Sequence, residues 1–518
     1  MEIITRQFEL NQIGKSVENQ FLVDEDINVP DSQPDVKSIV ISEGCLKIDE
    51  TKFVEHYLRI VGKIEYQVLF ETELTEPRYR CIIGELPFDE MIYVETEVEN
   101  FIVKNKSVDI KTSLIHSRKL RMKAIVDIAV QSEKMQIEEV PLDIKCDCNI
   151  HKKQEKLELL RLHTAKKDVY RIKRELILPG TKESIETILW TDVSNRRLDT
   201  KLGTDALYLI GELQVFCFYE SPEGKIDWVE QSLAYEGKVE CTNIDETMFH
   251  HIKADLEDVK VEVGLDEDGE TRVLNVEGTL SLRITVYEEE VIEVLQDLYS
   301  PEHRCVMDTK EAICEQLVLQ NHSKCKVMEK IVVPELNNSV LQICHSQGRV
   351  VVEETELHED GVLVTGFLYV NILYVKSNDD APFEVWQGMV PFKHLVECGA
   401  ASADLRFDIS TMLEQLNVTL QGGNEIEVKA ILAFHGFFRK EERFAKMHDI
   451  EFQALPAEEI EKRPSVIGYM VKKDDDLWNL AKRYGTSIEA ICKANDLKEE
   501  TVKPGDRLLI FKEKMSIL

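Results

Sequence analysis

Val61-Gly-Lys-Ile-Glu-Tyr-Gln-Val-Leu-Phe70 reads as a strand, with β-branched and aromatic side chains in partial alternation and an aromatic residue at its end. The pattern returns as Ile210-Gly-Glu-Leu-Gln-Val-Phe-Cys-Phe-Tyr219 and as Thr365-Gly-Phe-Leu-Tyr-Val-Asn-Ile-Leu-Tyr374. In each copy the glycine stands eight residues before the closing aromatic, and a proline (Pro30, Pro179 or Pro334) stands 32 residues before the glycine. Successive glycines, Gly62, Gly211 and Gly366, lie 149 and 155 residues apart, so the spacing changes by no more than a loop insertion.

Working outward, each copy continues into a second matched segment: Glu85-Leu-Pro-Phe-Asp89, Gln231-Ser-Leu-Ala-Tyr235 and Gly388-Met-Val-Pro-Phe392. Another strand pattern follows at Met122 to Val130, Leu280 to Tyr287 and Val428 to Phe438. The fold class is therefore mainly β, with three repeated β-rich modules in tandem. A period near 150 residues is too long for a solenoid, so each module is expected to own its core and the modules to follow one another like beads.

The expected organisation is an N-terminal segment at 1–26, modules at 27–150, 176–300 and 331–455, a linker at 456–465 and a small domain at 466–512. Between the modules, Lys156-Leu-Glu-Leu-Leu-Arg-Leu162 and Thr309 to Val318 space apolar residues by three and four, which predicts helical connectors at 151–175 and 301–330.

Composition narrows the function classes. The chain has 518 residues, 43% of them hydrophobic, enough for several folded cores. With 97 Asp and Glu against 63 Lys and Arg, its formal charge of -34 opposes binding to nucleic acid or to an anionic membrane, both of which need clustered cations. A basic protein partner suits it better. Met1 to Leu10 lacks the apolar core of a signal peptide, and no run of 18 apolar residues follows, so a cytoplasmic protein with no direct membrane insertion is expected. Twelve scattered cysteines are expected to be reduced thiols.

Catalytic constellations are not found. Cys146-Asp-Cys148 is a CxC without a second pair, His250-His251 and His435 have no acid at metal spacing, and Glu288-Glu-Glu290 and Asp379-Asp380 read as solvated charge runs. GxSxG, P-loop and HExxH patterns are missing. The expectation is a protein that is not an enzyme, with no cofactor and no metal.

The tail is more specific. Tyr469-Met-Val471 predicts a short strand, and Asp474-Asp-Asp476 then caps a helix whose Leu477, Leu480, Ala481 and Tyr484 form one apolar stripe before Gly485 stops it. Thr486-Ser-Ile-Glu489 fits a capping box for a second helix ending near Asn495. Lys503-Pro-Gly-Asp506 turns the chain into a last strand at Leu508 to Ile510, giving the order βααβ.

On those residues, with Ala494-Asn-Asp-Leu497 and Lys503-Pro-Gly-Asp-Arg-Leu508, the tail resembles a LysM domain over its whole length. That resemblance implies a shallow groove for N-acetylglucosamine-containing glycans such as peptidoglycan. One side would be Asp474, Asp475, Asp476 and Leu477, the other Asn495, Asp496, Leu497 and Lys498. Trp478 and Tyr484 join the candidate face, Trp478 because it lies just off the apolar stripe. The family usually has Gly-Asp-Thr or Gly-Asp-Ser where Asp474-Asp-Asp476 stands, a change that favours a protein ligand over a glycan.

The repeats taken with this tail resemble the SPOCS-domain proteins of endospore-forming bacteria. The resemblance implies a coat morphogenetic scaffold in the mother cell, at the forespore surface, tying a SpoIVA-like basement-layer ATPase to other coat proteins. A peptidoglycan-binding wall protein and a LysM-targeted hydrolase stand as alternatives.

Overall fold

A computed structural model describes residues 2–74, 76–94, 100–336, 340–377, 382–399, 402–422, 424–456, 458 and 464–512. Asp379 and Asp380 lie outside these residues, as does most of the 456–465 linker.

The same six-strand plan occurs three times. The first copy has β1 (Glu2–Asn28), β2 (Val36–Val54), β3 (Tyr57–Thr72), β4 (Tyr79–Tyr93), β5 (Asn100–His116) and β6 (Lys119–Lys145). They form two antiparallel three-stranded sheets, in the orders β2-β3-β4 and β1-β6-β5. The second copy runs β7 (His151–Ile177), β8 (Thr187–Gly203), β9 (Ala206–Glu220), β10 (Ile226–Glu240), β11 (Phe249–Gly264) and β12 (Val273–Tyr299). The third runs β13 (His303–Val332), β14 (Val340–His358), β15 (Gly361–Lys376), β16 (Phe383–Glu397), β17 (Leu405–Gly422) and β18 (Glu425–Ala454). Each pair of sheets encloses its own core, such as Ile60, Ile64, Val68, Met122, Ala124 and Val126 in the first copy.

The segments expected as helical connectors at 151–175 and 301–330 are strands, β7 and β13, and the N-terminal segment is strand β1. Leu157 and Leu159 pack on Phe8 and Val140, while Leu160 and Leu162 pack with Tyr287 and Phe437. A strand covered on both faces loses its alternation, and its apolar spacing then imitates a helix. In β13, Ala312 and Cys314 are buried two residues apart, as a strand requires.

The repeated glycines have a steric reason. Gly62 lies opposite Phe88, Gly211 opposite Tyr235 and Gly366 opposite Phe392, and the aromatic ring lies where a side chain would project, joined at Gly62 and Gly366 by the still closer carbonyl of Lys47 or Val351 on the other neighbouring strand. The second matched segment of each repeat supplies that ring. Replacement Gly211→Val should displace Tyr235 and cost about 1–3 kcal/mol, read as a lower urea midpoint; an unchanged midpoint would remove this role. The prolines close the loop after the first strand: Pro30 O accepts from Gln33 N and Pro179 O from Lys182 N, both at 2.9 Å. Arg118 and Arg272 also donate to those two carbonyls.

The modules are not separate beads. β1 and β6 stay paired beyond the end of β5, and β7 with β12 and β13 with β18 do the same, making three two-stranded ribbons. The ribbons pack together through Phe8, Val140, Leu159, Val294 and Cys314, and further out through Ile144, Leu295, Leu298 and Ile450. Leu69, Phe218 and Leu373, each seven residues after its anchor glycine, meet in another shared cluster. Arg6 and Glu290 pair across the ribbons at 2.6 Å, Lys446 and Glu138 at 2.5 Å.

The C-terminal unit has β19 (Val466–Met470), α1 (Leu477–Tyr484), α2 (Ile488–Ala494) and β20 (Arg507–Phe511), with β19 and β20 antiparallel. The βααβ order is as expected.

Candidate binding surfaces

The loop entering α1 is built by its aspartates. Asp474 is exposed and takes φ 75°, the left-handed region that glycine occupies without strain. Asp475 accepts from Tyr469 Oη at 2.7 Å and from Lys472 N at 2.8 Å, and the Tyr469 hydrogen bond is the main cause holding its carboxyl below the usual range. Asp476 is the N-cap, accepting from Asn479 N at 2.6 Å. Gly485 closes the helix at φ 63°. The second cap is one residue later than the capping box predicted: Ser487 accepts from Ala490 N at 3.0 Å, and Thr486 is buried instead.

The expected site residues divide into three kinds. Leu477 is core, Tyr484 stacks edge-on against Tyr469 at 5.8 Å, and Leu497 is half-buried on the same cluster. Asn495 gives its amide to Ile491 O and Leu509 O and accepts from Leu509 N, so it ties α2 to β20. Asp474, Asp496 and Lys498 are exposed, and so is Asp476, although Asn479 donates to both of its carboxylate oxygens, from the backbone N at 2.6 Å and from Nδ2 at 2.9 Å.

Trp478 is the residue the sequence placed least well. It is only 8% exposed, because α1 docks on the outer end of the second ribbon. Its Nε1–H donates to Asp297 Oδ2 at 2.7 Å, and its ring lies edge-on to Tyr299 with centroids 4.9 Å apart. Lys482 Nζ donates to the same carboxylate at 2.7 Å, and Tyr299 Oη donates to Thr486 O at 2.6 Å. Trp478 is thus an intramolecular anchor. Comparing the repeats would have pointed to this partner: the second copy ends on Tyr299, whereas the first ends on Lys145 and the third on Ala454.

Removing Asp297 leaves a buried indole N–H and an ammonium without their acceptor. Asp297→Ala should weaken docking by about 1.5–3 kcal/mol and speed amide hydrogen exchange in α1 by roughly tenfold or more. Unchanged exchange would mean the contact does not hold the domain.

A second polar centre was not legible in the sequence. Glu43, Asp192 and Gln347 each pair with the residue five places after an anchor glycine, so they are equivalent positions of the three modules. They meet at the junction: Gln347 Nε2 donates to Glu43 Oε2 at 3.3 Å and to Asp192 Oδ1 at 3.1 Å. His345 stacks on Phe216 at 4.0 Å and bonds Asp192 at 2.9 Å and Glu230 at 3.2 Å. Burial opposes its charge, but hydrogen bonds and attraction from those two carboxylates prevail and raise it to about 9. Burial, then repulsion from Asp192, pushes Glu43 up to about 7.

Between the second and third modules, His250 and His251 line a small cavity with His322 and His435. Burial holds both His250 and His251 down at about 4. Among the described residues no group of three or more His, Cys, Asp or Glu is arranged to hold a metal ion, and no helix is long and apolar enough to cross a membrane.

Residues 184–264 and 339–421 match the family described as SipL, SPOCS domain, and residues 469–511 match the LysM domain. The SPOCS matches run from β8 through β11 and from β14 into β17, leaving aside the long first and last strands of each module. Both are binding or scaffold domains. No curated protein and no solved structure matches the chain.

Proposed function

Because the chain carries SPOCS and LysM domains, the combination of a spore coat protein, we propose that it is a non-enzymatic scaffold of coat assembly. In this reading the LysM domain docks on a SpoIVA-like basement-layer ATPase at the forespore surface, and the packed modules carry other coat proteins. The observation that supports it is the altered first loop: Asp474 at φ 75° and the capping Asp476 present exposed carboxylates where the family usually has glycine and a hydroxyl. Ionised carboxylates accept hydrogen bonds but donate none, which suits lysine and arginine better than sugar hydroxyls. The overall charge of -34 favours the same kind of partner.

The LysM match itself favours the second reading, peptidoglycan binding. Binding of the full chain and of a variant ending at residue 464 is to be compared on purified SpoIVA and on peptidoglycan sacculi. Binding to SpoIVA that vanishes with the LysM domain is expected. LysM-dependent binding to sacculi alone would overturn the proposal and assign the protein to the cell wall.

A further inference from the structure

The junction of the three modules holds a partly open cavity of about 530 Å³, bounded by β2, β3 and β5 of the first, β11 of the second and β14, β15 and β16 of the third. Its volume is that of a small-ligand site, and no single module could form it. Leu46, Ile110, Leu256 and Met389 make apolar walls, with the ring of Tyr369 beside them. Glu43 lines the cavity from the polar centre described above.

Around it lie the carboxylates of Glu65, Asp109 and Glu257 as well as Glu43 and Asp258, against the cations Lys47 and Arg349, and Glu65 pairs with Lys63 at 3.2 Å. Lys47 is paired with Asp258, and the Arg349 guanidinium lies over Tyr369 at 5.2 Å in an exposed position. Asp192, at the position equivalent to Glu43, has His345 as its cation. Among the described residues, the side-chain donors to Glu43 are two neutral amides, Asn371 at 3.2 Å and Gln347 at 3.3 Å. Neutral amides satisfy lone pairs but leave the negative charge uncompensated. Burial and Asp192 accordingly hold this carboxyl high, with His345 the nearby cation acting against them.

We propose that the cavity receives a lysine-bearing segment of a partner protein, its alkyl stem against Leu46, Ile110, Leu256 and Met389 and its ammonium on Glu43. A lysine stem is apolar along its length and charged at its tip, and a cavity lined by both apolar side chains and a carboxylate complements both parts. This site is separate from the LysM groove and does not rest on the coat reading. It gives the module body a binding function of its own.

The test is calorimetric titration of the full chain with acetyl-Gly-Lys-Gly-amide, with the norleucine analogue as the uncharged control. Saturable binding of the lysine peptide is expected, at least about tenfold weaker for Glu43→Gln and for the norleucine peptide, as loss of a charge-assisted hydrogen bond requires. Met389→Trp, which fills the cavity while keeping Glu43, should weaken it comparably. Glu499→Gln, on an exposed loop of the C-terminal unit, should not change it. Equal binding by wild type and Glu43→Gln, equal weakening by Glu499→Gln, or no saturation by about 10 mM, near the weak end of specific binding, would each overturn the proposal.

Discussion

Arg439→Ala is expected to lower the free energy of unfolding by about 3–5 kcal/mol, the cost of stripping one partner from a buried ionic network. Arg439 is 2% exposed at the contact of the second and third modules. One arm of its guanidinium donates to Tyr287 Oη and Glu315 Oε2, each at 3.1 Å, and the other to Asp408 Oδ2 at 2.8 Å. Alanine would leave the carboxylates of Glu315 and Asp408 in the same space with no cation between them, and burial already raises Glu315 above its ordinary range. Arg439→Lys keeps the charge but cannot fork between two acids, so its loss should be smaller. Urea denaturation measures both; a loss below about 1 kcal/mol for alanine, the value of a surface pair, would contradict the network's burial.

The second large effect is on pH dependence, where the histidines of the module contacts act in opposite directions. His345 is raised from 6.5 to about 9, so its stabilisation is fully present below 6.5 and lost as pH climbs through 9. The shift corresponds to on the order of 3 kcal/mol. His250 and His251, held at about 4, are stabilising while neutral. Their contribution is present above 6.5 and lost as pH falls toward 4. Glu43, raised from 4.5 to about 7, gains stability as pH falls through that range and offsets part of the acid loss. Stability should therefore peak near neutrality, with an alkaline arm due to His345. His345→Gln should be clearly less stable than wild type at pH 6.5, and the difference should close by pH 9.5. A difference that stays constant across this range would show that the imidazole is not charged in the folded protein.

Parts of the molecule with a local cause were legible. Gly62, Gly211 and Gly366 marked strands because a cross-strand ring, with a neighbouring backbone carbonyl at Gly62 and Gly366, leaves no room for a side chain, and that requirement recurs with the repeat. Asp476 and Gly485 marked α1, and Lys503 to Asp506 marked a turn, because caps and turns depend on a few neighbouring residues. Of the candidate site, the loop carrying Asp474 to Asp476 was read from the sequence as a departure from the usual Gly-Asp-Thr, and the structure then put Asp474 at a positive φ. The displaced cap at Ser487 shows the limit: Thr486 and Ser487 are chemically alike, and only the structure shows that Ser487 caps α2 while Thr486 is buried with its carbonyl on Tyr299.

By itself, then, the sequence determined three β modules and a βααβ tail, since periodicity and turn chemistry act over short separations. Only the tertiary structure decided that 151–177 and 303–332 are strands, because each is recruited by a partner strand 93 to 151 residues further along the chain. The same holds for Trp478, whose apolar surface was evident but whose cover, Tyr299 and Asp297, lies 179 and 181 residues earlier in the chain. The junction of Glu43, Asp192, His345 and Gln347 required all three modules to close on one another. A pattern along the chain shows which surfaces must be buried; which surfaces bury them is settled by packing between distant segments.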